Sequence, residues 1–249
     1  MTRYLLRYLT TLLLVLTPIL SSAEQLYQVE LIIFSHPLSK GISQERWPQD
    51  SVLLPNFDNT VTLMTDSKSL DPNMDSNPQL DTSMPHQIPP SKWQLVSEEQ
   101  HLRRHPDYHI LYHQAWQQTL PPSSNPIRIH LYGGEGFKSG GKAMVFERND
   151  DNNSDESHYA DADTWQVDGT LSLYLNRYIN SSFDLRFAMP SKQFNGLNHN
   201  NNPAEESSQA FTYIALKQSR RTRSNELNYI DHPVYGILMK VTPVETKTV

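Results

Sequence analysis

Two neighbouring runs of this chain place apolar side chains at every second residue. Trp165, Val167, Leu171, Leu173 and Leu175 form the first run, and Ile179, Phe183, Leu185 and Phe187 form the second. Between them stands only a short polar turn around Asn176-Arg177. A helix would scatter such side chains around its circumference, whereas a strand lines them along one face. Two alternating runs joined by so short a turn predict a β-hairpin.

The same period recurs along much of the chain. Residues 26–34 are rich in β-branched and aromatic types and end at Ser35-His36-Pro37, which predicts a strand with Tyr27, Val29, Leu31 and Ile33 on one face. Tyr108, Ile110, Tyr112 and Trp116 read as one face of a further strand, and Ile127, Ile129 and Leu131 as one face of the next. Ala210 to Arg223 reads as another long strand, Asn225 as a turn, and Val234 to Val244 as the closing strand. One helix is marked by Ser97-Glu98-Glu99-Gln100, a capping-box pattern, and Pro106 should stop it near His105. Gly133-Gly134-Glu135-Gly136 reads as a turn. Strands joined by turns with one or two short helices predict a mainly β or α+β fold built on an antiparallel sheet.

Three polar stretches interrupt this pattern: 56–90, 149–158 and 195–208. They are dominated by Asp, Asn, Ser, Thr and Pro or by charge, and they read as loop insertions with little capacity to bury themselves. Residues 24–249 are therefore expected to form a single domain carrying three insertions.

The N-terminus carries its own signal. Arg3 and Arg7 precede an apolar run from Leu9 to Leu20, and Ser21-Ser22-Ala23 supplies small residues at a cleavage site. This layout predicts a signal peptide over 1–23, a mature start at Glu24 and a periplasmic destination. The run is shorter than the ~20 apolar residues a spanning helix needs, and no cysteine follows it to take a lipid. No later stretch approaches membrane length, so no span is expected after cleavage. Loss of 1–23 removes two arginines and moves the net charge from −6 to −8, with 19 basic and 27 acidic residues. So acidic a chain lacks the field that drives nucleic-acid binding. The sequence has no cysteine, which rules out disulfide staples and every cysteine-nucleophile wall enzyme.

No catalytic or metal motif survives inspection. His101, His105, His109 and His113 recur at every fourth residue, but Pro106 divides them between two elements, so they read as surface or packing histidines. Ser139-Gly140-Gly141-Lys142 matches a Ser-x-x-Lys pattern, yet two adjacent glycines oppose the helix that chemistry requires, and its companion motifs are absent. Asp161 and Asp163 could serve a glycosidase only at a defined separation in a cleft, which spacing cannot show. No cofactor is implied, and the chain is expected not to be an enzyme.

One cluster does stand out in this acidic background. Arg220, Arg221 and Arg223 lie on or beside a strand, with Arg221 and Arg223 expected on one face and Arg220 on the other. Arginine suits bidentate capture of carboxylates, and peptidoglycan stem peptides carry several. Tyr229 and Tyr235 follow closely and could stack on sugar faces. The competing expectation is that these arginines pair with Glu226, Asp231 or sheet neighbours and merely hold the fold.

The same segment carries a resemblance. Ser219-Arg220-Arg221-Thr222-Arg223-Ser224, then Glu226-Leu227, Tyr229, Asp231-His232-Pro233 and Gly236, followed by Leu238 to Pro243, is similar to the C-terminal signature of the CsiV family. Tyr27 to Phe34, Tyr108 to Trp116, Asp168 to Leu171 and Arg177-Tyr178 agree in order along the chain. The resemblance implies a non-enzymatic peptidoglycan-binding protein of the Gram-negative periplasm. It also implies a partner, the outer-membrane lipoprotein activator of a bifunctional penicillin-binding protein, and through it a role in wall synthesis and cell shape. It assigns no binding residue. A peptidoglycan hydrolase with an unrecognised acidic site, or an adaptor that does not itself touch the wall, are the alternatives.

Overall fold

The computed structural model of the chain describes residues 25–37, 56–64, 82–138, 142–143, 164–197 and 210–245. Eleven strands form among them: β1 (Leu26–Ser35), β2 (Thr60–Val61), β3 (His86–Gln87), β4 (His109–Thr119), β5 (Ile127–Lys138), β6 (Lys142–Ala143), β7 (Thr164–Leu175), β8 (Ile179–Pro190), β9 (Phe211–Thr222), β10 (Leu227–Asp231) and β11 (Tyr235–Pro243). A 3-10 turn spans Pro90–Lys92, and two helices are present, α1 (Val96–Arg104) and α2 (Ser191–Leu197). The fold is mainly β, as expected. The single sheet of the sequence reading is instead two. Sheet A runs β10-β11-β1-β4-β3 and sheet B runs β2-β5-β7-β8-β9, with β6 paired to β5. All long pairings are antiparallel; only the two-residue β2 joins β5 in parallel.

The two sheets face one another across one apolar core. Val29, Leu31, Ile33, Trp116, Ile237, Met239 and Val241 from sheet A meet Ile129, Leu131, Val167, Leu171, Leu173, Phe183, Leu185 and Phe187 from sheet B. Each full burial of such a side chain contributes ~1.5–3 kcal/mol, so this interface dominates stability. The expected inward faces of β1, β5, β7 and β8 are thus realised in the main, and the β7–β8 hairpin turns at Asn176–Tyr178. Since β1 lies centrally in sheet A, its outer face is also covered: Ile32 and Phe34 pack with Leu95, Leu102, Ile110 and Leu238 beneath α1.

Several expectations need correction. The helix begins at Val96 with Leu95 at its N-cap, so the Ser97 hydroxyl bonds Glu98 at 2.6 Å instead of closing a capping box. What meets the helix start is a side chain from β1. Glu30, 1% exposed, accepts hydrogen bonds from the backbone N–H of Gln94 (2.5 Å) and Leu95 (2.9 Å). A tertiary carboxylate thereby satisfies donors that helix starts leave free. Tyr108, Ile110, Tyr112 and Trp116 do not share a face. A register shift at Ile33/Phe34 pairs Ile33 with Tyr112 and Phe34 with Ile110, leaving Leu111 as an extra residue and turning Ile110 to the outer side. Gly133 to Gly136 is a bulge inside β5, not a turn between strands. Leu227–Asp231, unassigned in the sequence, is the edge strand β10. The polar stretch 56–90 contributes β2 and β3 at its two ends. The signal-peptide segment 1–23, the 149–158 stretch and Asp161 and Asp163 lie outside the described residues. Among the described residues no helix is long and apolar enough to cross a membrane.

Candidate functional site

The strand register decides which sequence candidates can act together. β9 pairs with β8 so that Thr222 meets Ile179, Arg221 meets Asn180 and Arg220 meets Ser181. Ile214 and Leu216 of β9 enter the core, so Arg221, of odd number, points to the outer face of sheet B, and Arg220 to the inner side at its rim. Both are exposed. The expected alternation of these two holds, but Arg223 lies beyond the strand end and makes an exposed 3.7 Å ion pair with Glu226.

The β7–β8 turn adds two residues that the cluster lacked in the sequence. The Arg221 guanidinium lies 5.0 Å from the centre of the Tyr178 ring, and that of Arg177 lies 5.7 Å from it. Arg177 and Arg221 thus flank one tyrosine at one end of sheet B, and Arg220 stands at the same end on the other side of β9. Among the described residues none of these three has a carboxylate within ion-pairing distance. A cation over an exposed ring gains ~0.5–1 kcal/mol, enough to orient a guanidinium while leaving its donors outward. The sequence did hold a signal for this partnership. Arg177-Tyr178 sits in the turn that any β7–β8–β9 meander brings beside the end of β9.

The two tyrosines do not join this group. Tyr235 is fully buried, stacked on Phe187 at 5.9 Å and 17°, and offers no face to a ligand. It is a core residue because it points to the face of sheet A that meets sheet B. Tyr229 is 43% exposed but sits on the outer face of sheet A, stacked on Phe34 at 6.4 Å, with its hydroxyl donating to Asp231 at 2.6 Å. It therefore occupies the opposite face of the sandwich from Arg221. Asp231, an expected partner of the arginines, binds Tyr229 and lies 3.5 Å from His36 instead.

A second feature could not be read from the sequence at all. Where β4 and β5 diverge, a cleft of about 1480 Å³ opens between the two sheets. Its walls are set by the two bulges. A Cβ on Gly133 would stand 2.3 Å from the Leu111 carbonyl oxygen, so the β5 bulge and the extra residue of β4 touch through bare backbone. Gly134 has φ +76°, a left-handed conformation favouring glycine, and the Gln166 side chain accepts the Glu135 N–H at 3.0 Å to hold the bulge. Tyr112, Tyr132, His130, Gln114, Gln166 and Glu135 face the resulting space.

Two ion networks brace this cleft. The His113 side chain, 4% exposed, lies 2.9 Å from Glu30 and 3.0 Å from Glu99, beneath the Trp93 ring at 4.2 Å. Glu99 also pairs with Arg103 at 2.6 Å; burial opposes its ionisation, but the Arg103 hydrogen bond and His113 outweigh it and keep the carboxyl below its ordinary range. On sheet B, Asp168 holds His130 at 2.8 Å and Arg186 at 2.9 Å. Burial would raise the Asp168 carboxyl, yet the hydrogen bonds from His130 and Arg186 prevail and lower it. Among the described residues no group of three or more His, Asp or Glu side chains is arranged to hold a metal ion, and the four spaced histidines separate onto α1, its C-cap and β4. Of the Ser139 to Lys142 motif, only Lys142 lies within the described residues.

No curated relative matches the chain, and no solved structure matches it. The sequence model of the family described as "Peptidoglycan-binding protein, CsiV" matches residues 5–244, nearly the full length. With the signature residues of β9 to β11 in place, the chain belongs to the CsiV family of peptidoglycan-binding proteins.

Proposed function

We propose that this chain is a non-enzymatic periplasmic protein that holds peptidoglycan through the arginine–tyrosine end of sheet B. After loss of residues 1–23 it works with the outer-membrane lipoprotein activator of a bifunctional penicillin-binding protein, supporting wall synthesis and cell shape. The observation that carries the binding site is the state of Arg177, Arg220 and Arg221. They are exposed guanidiniums without ion-pair partners among the described residues, in a chain of net charge −6. An arginine spent on the fold engages protein acceptors, as Arg186 does with Asp168 and Arg128 with the carbonyls of Asn56 and Asp58. These do not, so their donors remain available for the free carboxylates of stem peptides.

Sedimentation of the purified chain with sacculi, no other protein present, tests the reading. The parent should pellet with sacculi and release no soluble fragments. A charged hydrogen bond is worth ~1.5–3 kcal/mol, so Arg220→Gln with Arg221→Gln should weaken pelleting about tenfold or more at ~1.4 kcal/mol per decade. Raised salt should weaken it as well. Pelleting only when the lipoprotein is added would make the chain an adaptor, and release of wall fragments would make it an enzyme. Either result overturns the proposal.

A further inference from the structure

The cleft between β4 and β5 is unlike the arginine end in every respect that matters for recognition. It is concave, and it is larger than the ~300–1,000 Å³ typical of a small-molecule pocket, which suits an extended ligand. Its charged lining is Arg103 with Asp107 and Glu135, one acid in excess, and tyrosines, histidines and amides stand there beside apolar side chains such as Leu111, Phe137, Phe187 and Met189. Such a surface has no preference for an anion. It offers donors and acceptors to hydroxyl and acetamido groups and flat rings to the C–H faces of pyranoses.

The rings are ordered as a file. Phe57 lies 4.6 Å from His130, His130 lies 5.1 Å from Tyr132, and Tyr132 lies 5.5 Å from Trp165. His130 and Tyr132 from this file line the cleft directly, with Tyr112 opposite on β4. The platform is rigid by construction, since Asp168 fixes the His130 ring and Arg186 fixes Asp168. Paired bulges also frequently mark functional sites because they re-aim side chains.

We infer that this cleft is a glycan site that takes an uncharged run of N-acetylated hexosamines, gripped by Tyr112, Tyr132 and Gln114. The inference rests on the wall-binding reading and adds a second contact to it. Through the strand register Tyr132 lies level with Ala215 of β9, and Arg221 stands six residues on toward the Thr222 end, about 20 Å further along at ~3.3 Å per residue. The molecule thus offers a sugar contact between β4 and β5 and a carboxylate contact at the Thr222 end of β9.

The test uses tetra-N-acetylchitotetraose, which carries the sugar and acetamido groups but no charge, followed by amide chemical shifts of the parent protein. Saturable shifts concentrated in residues 110–114 and 130–136, insensitive to salt, are expected. Tyr132→Ala should raise the dissociation constant about tenfold or more, and Gln114→Ala should raise it several-fold should the first variant not fold. Arg104→Gln, an exposed change outside the cleft lining, should leave it unchanged. Absence of saturable shifts, or shifts confined to other strands, overturns the glycan site. Pelleting with intact sacculi separates the two readings: a parent that pellets but ignores the oligosaccharide loses only the cleft, whereas one that ignores sacculi loses the wall-binding reading.

Discussion

The Thr222 end and the middle of sheet B place the same kinds of side chain in opposite circumstances. At the Thr222 end, Arg220 and Arg221 stand in water with no acid partner among the described residues, and Tyr178 supports Arg221 by its ring alone. Near the middle, Arg186 is 6% exposed, pinned to Asp168 and laid over Tyr213 at 4.9 Å, while its Nε and Nη1 find no hydrogen-bond partner among the described residues. Solvation accounts for the contrast. A buried guanidinium needs a carboxylate, and removing one member of such a pair strands the other. An exposed guanidinium loses almost nothing by remaining unpaired, so it is free for a ligand. The braced, buried ions belong to the architecture of the cleft; the bare ones belong to the surface.

That contrast can be broken most forcefully at Glu30. Glu30→Ala would leave His113 and the Gln94 and Leu95 N–H groups without their acceptor, and should cost about 3–5 kcal/mol in denaturant unfolding. A loss below about 0.5 kcal/mol would mean that the network behind the cleft is not structural. The next largest effect is expected at the bulge contact. Gly133→Ala drives a methyl against the Leu111 carbonyl oxygen and should cost about 1–3 kcal/mol, with a lower Tm and weaker oligosaccharide binding together. An unchanged Tm would show that the two bulges can part without penalty.

A smaller, pH-dependent effect should come from His232, packed 4.5 Å from Tyr235. Burial holds its pKa down to about 4, against the partial opposition of Asp231. Between about 6.5 and about 4 the unfolded chain binds a proton there that the folded chain refuses. Stability therefore falls as pH drops through that window and is unaffected by this group above it. Tm measured from pH 7.5 to 4.5 should decline less steeply for His232→Asn than for the parent; parallel curves would exclude His232 as a source of the decline. Least of all should change at the arginine end. Arg220→Gln and Arg221→Gln should alter stability by no more than about 0.5 kcal/mol while weakening sacculus binding. A clear drop in Tm would mean that these arginines are structural after all.

Period-two alternation was enough to find β1, β5, β7, β8 and β9, because a strand buried on one face writes its pattern locally. Charge density located Arg220 and Arg221 for the same reason: three arginines in four residues are visible without knowing what surrounds them. What failed were inferences that need a neighbour distant in sequence. Tyr229 and Tyr235 stand six residues apart, yet one is exposed and the other sealed, since Tyr229 points to the outer face of sheet A and Tyr235 to the face that meets sheet B; Ile230, next to Tyr229 on the same strand, is buried. Ser97 looked like a helix cap, but Glu30, some 65 residues earlier, meets the helix start. Gly133 to Gly136 carries the composition of a turn, and only contact with Leu111 makes it a bulge. The sequence alone determined the strands and the surface charge, whose causes lie within a few residues. Sheet order, the paired bulges and the cleft between them were decided by tertiary structure, because backbone packing across β4 and β5 depends on register, and register is a property of two strands at once.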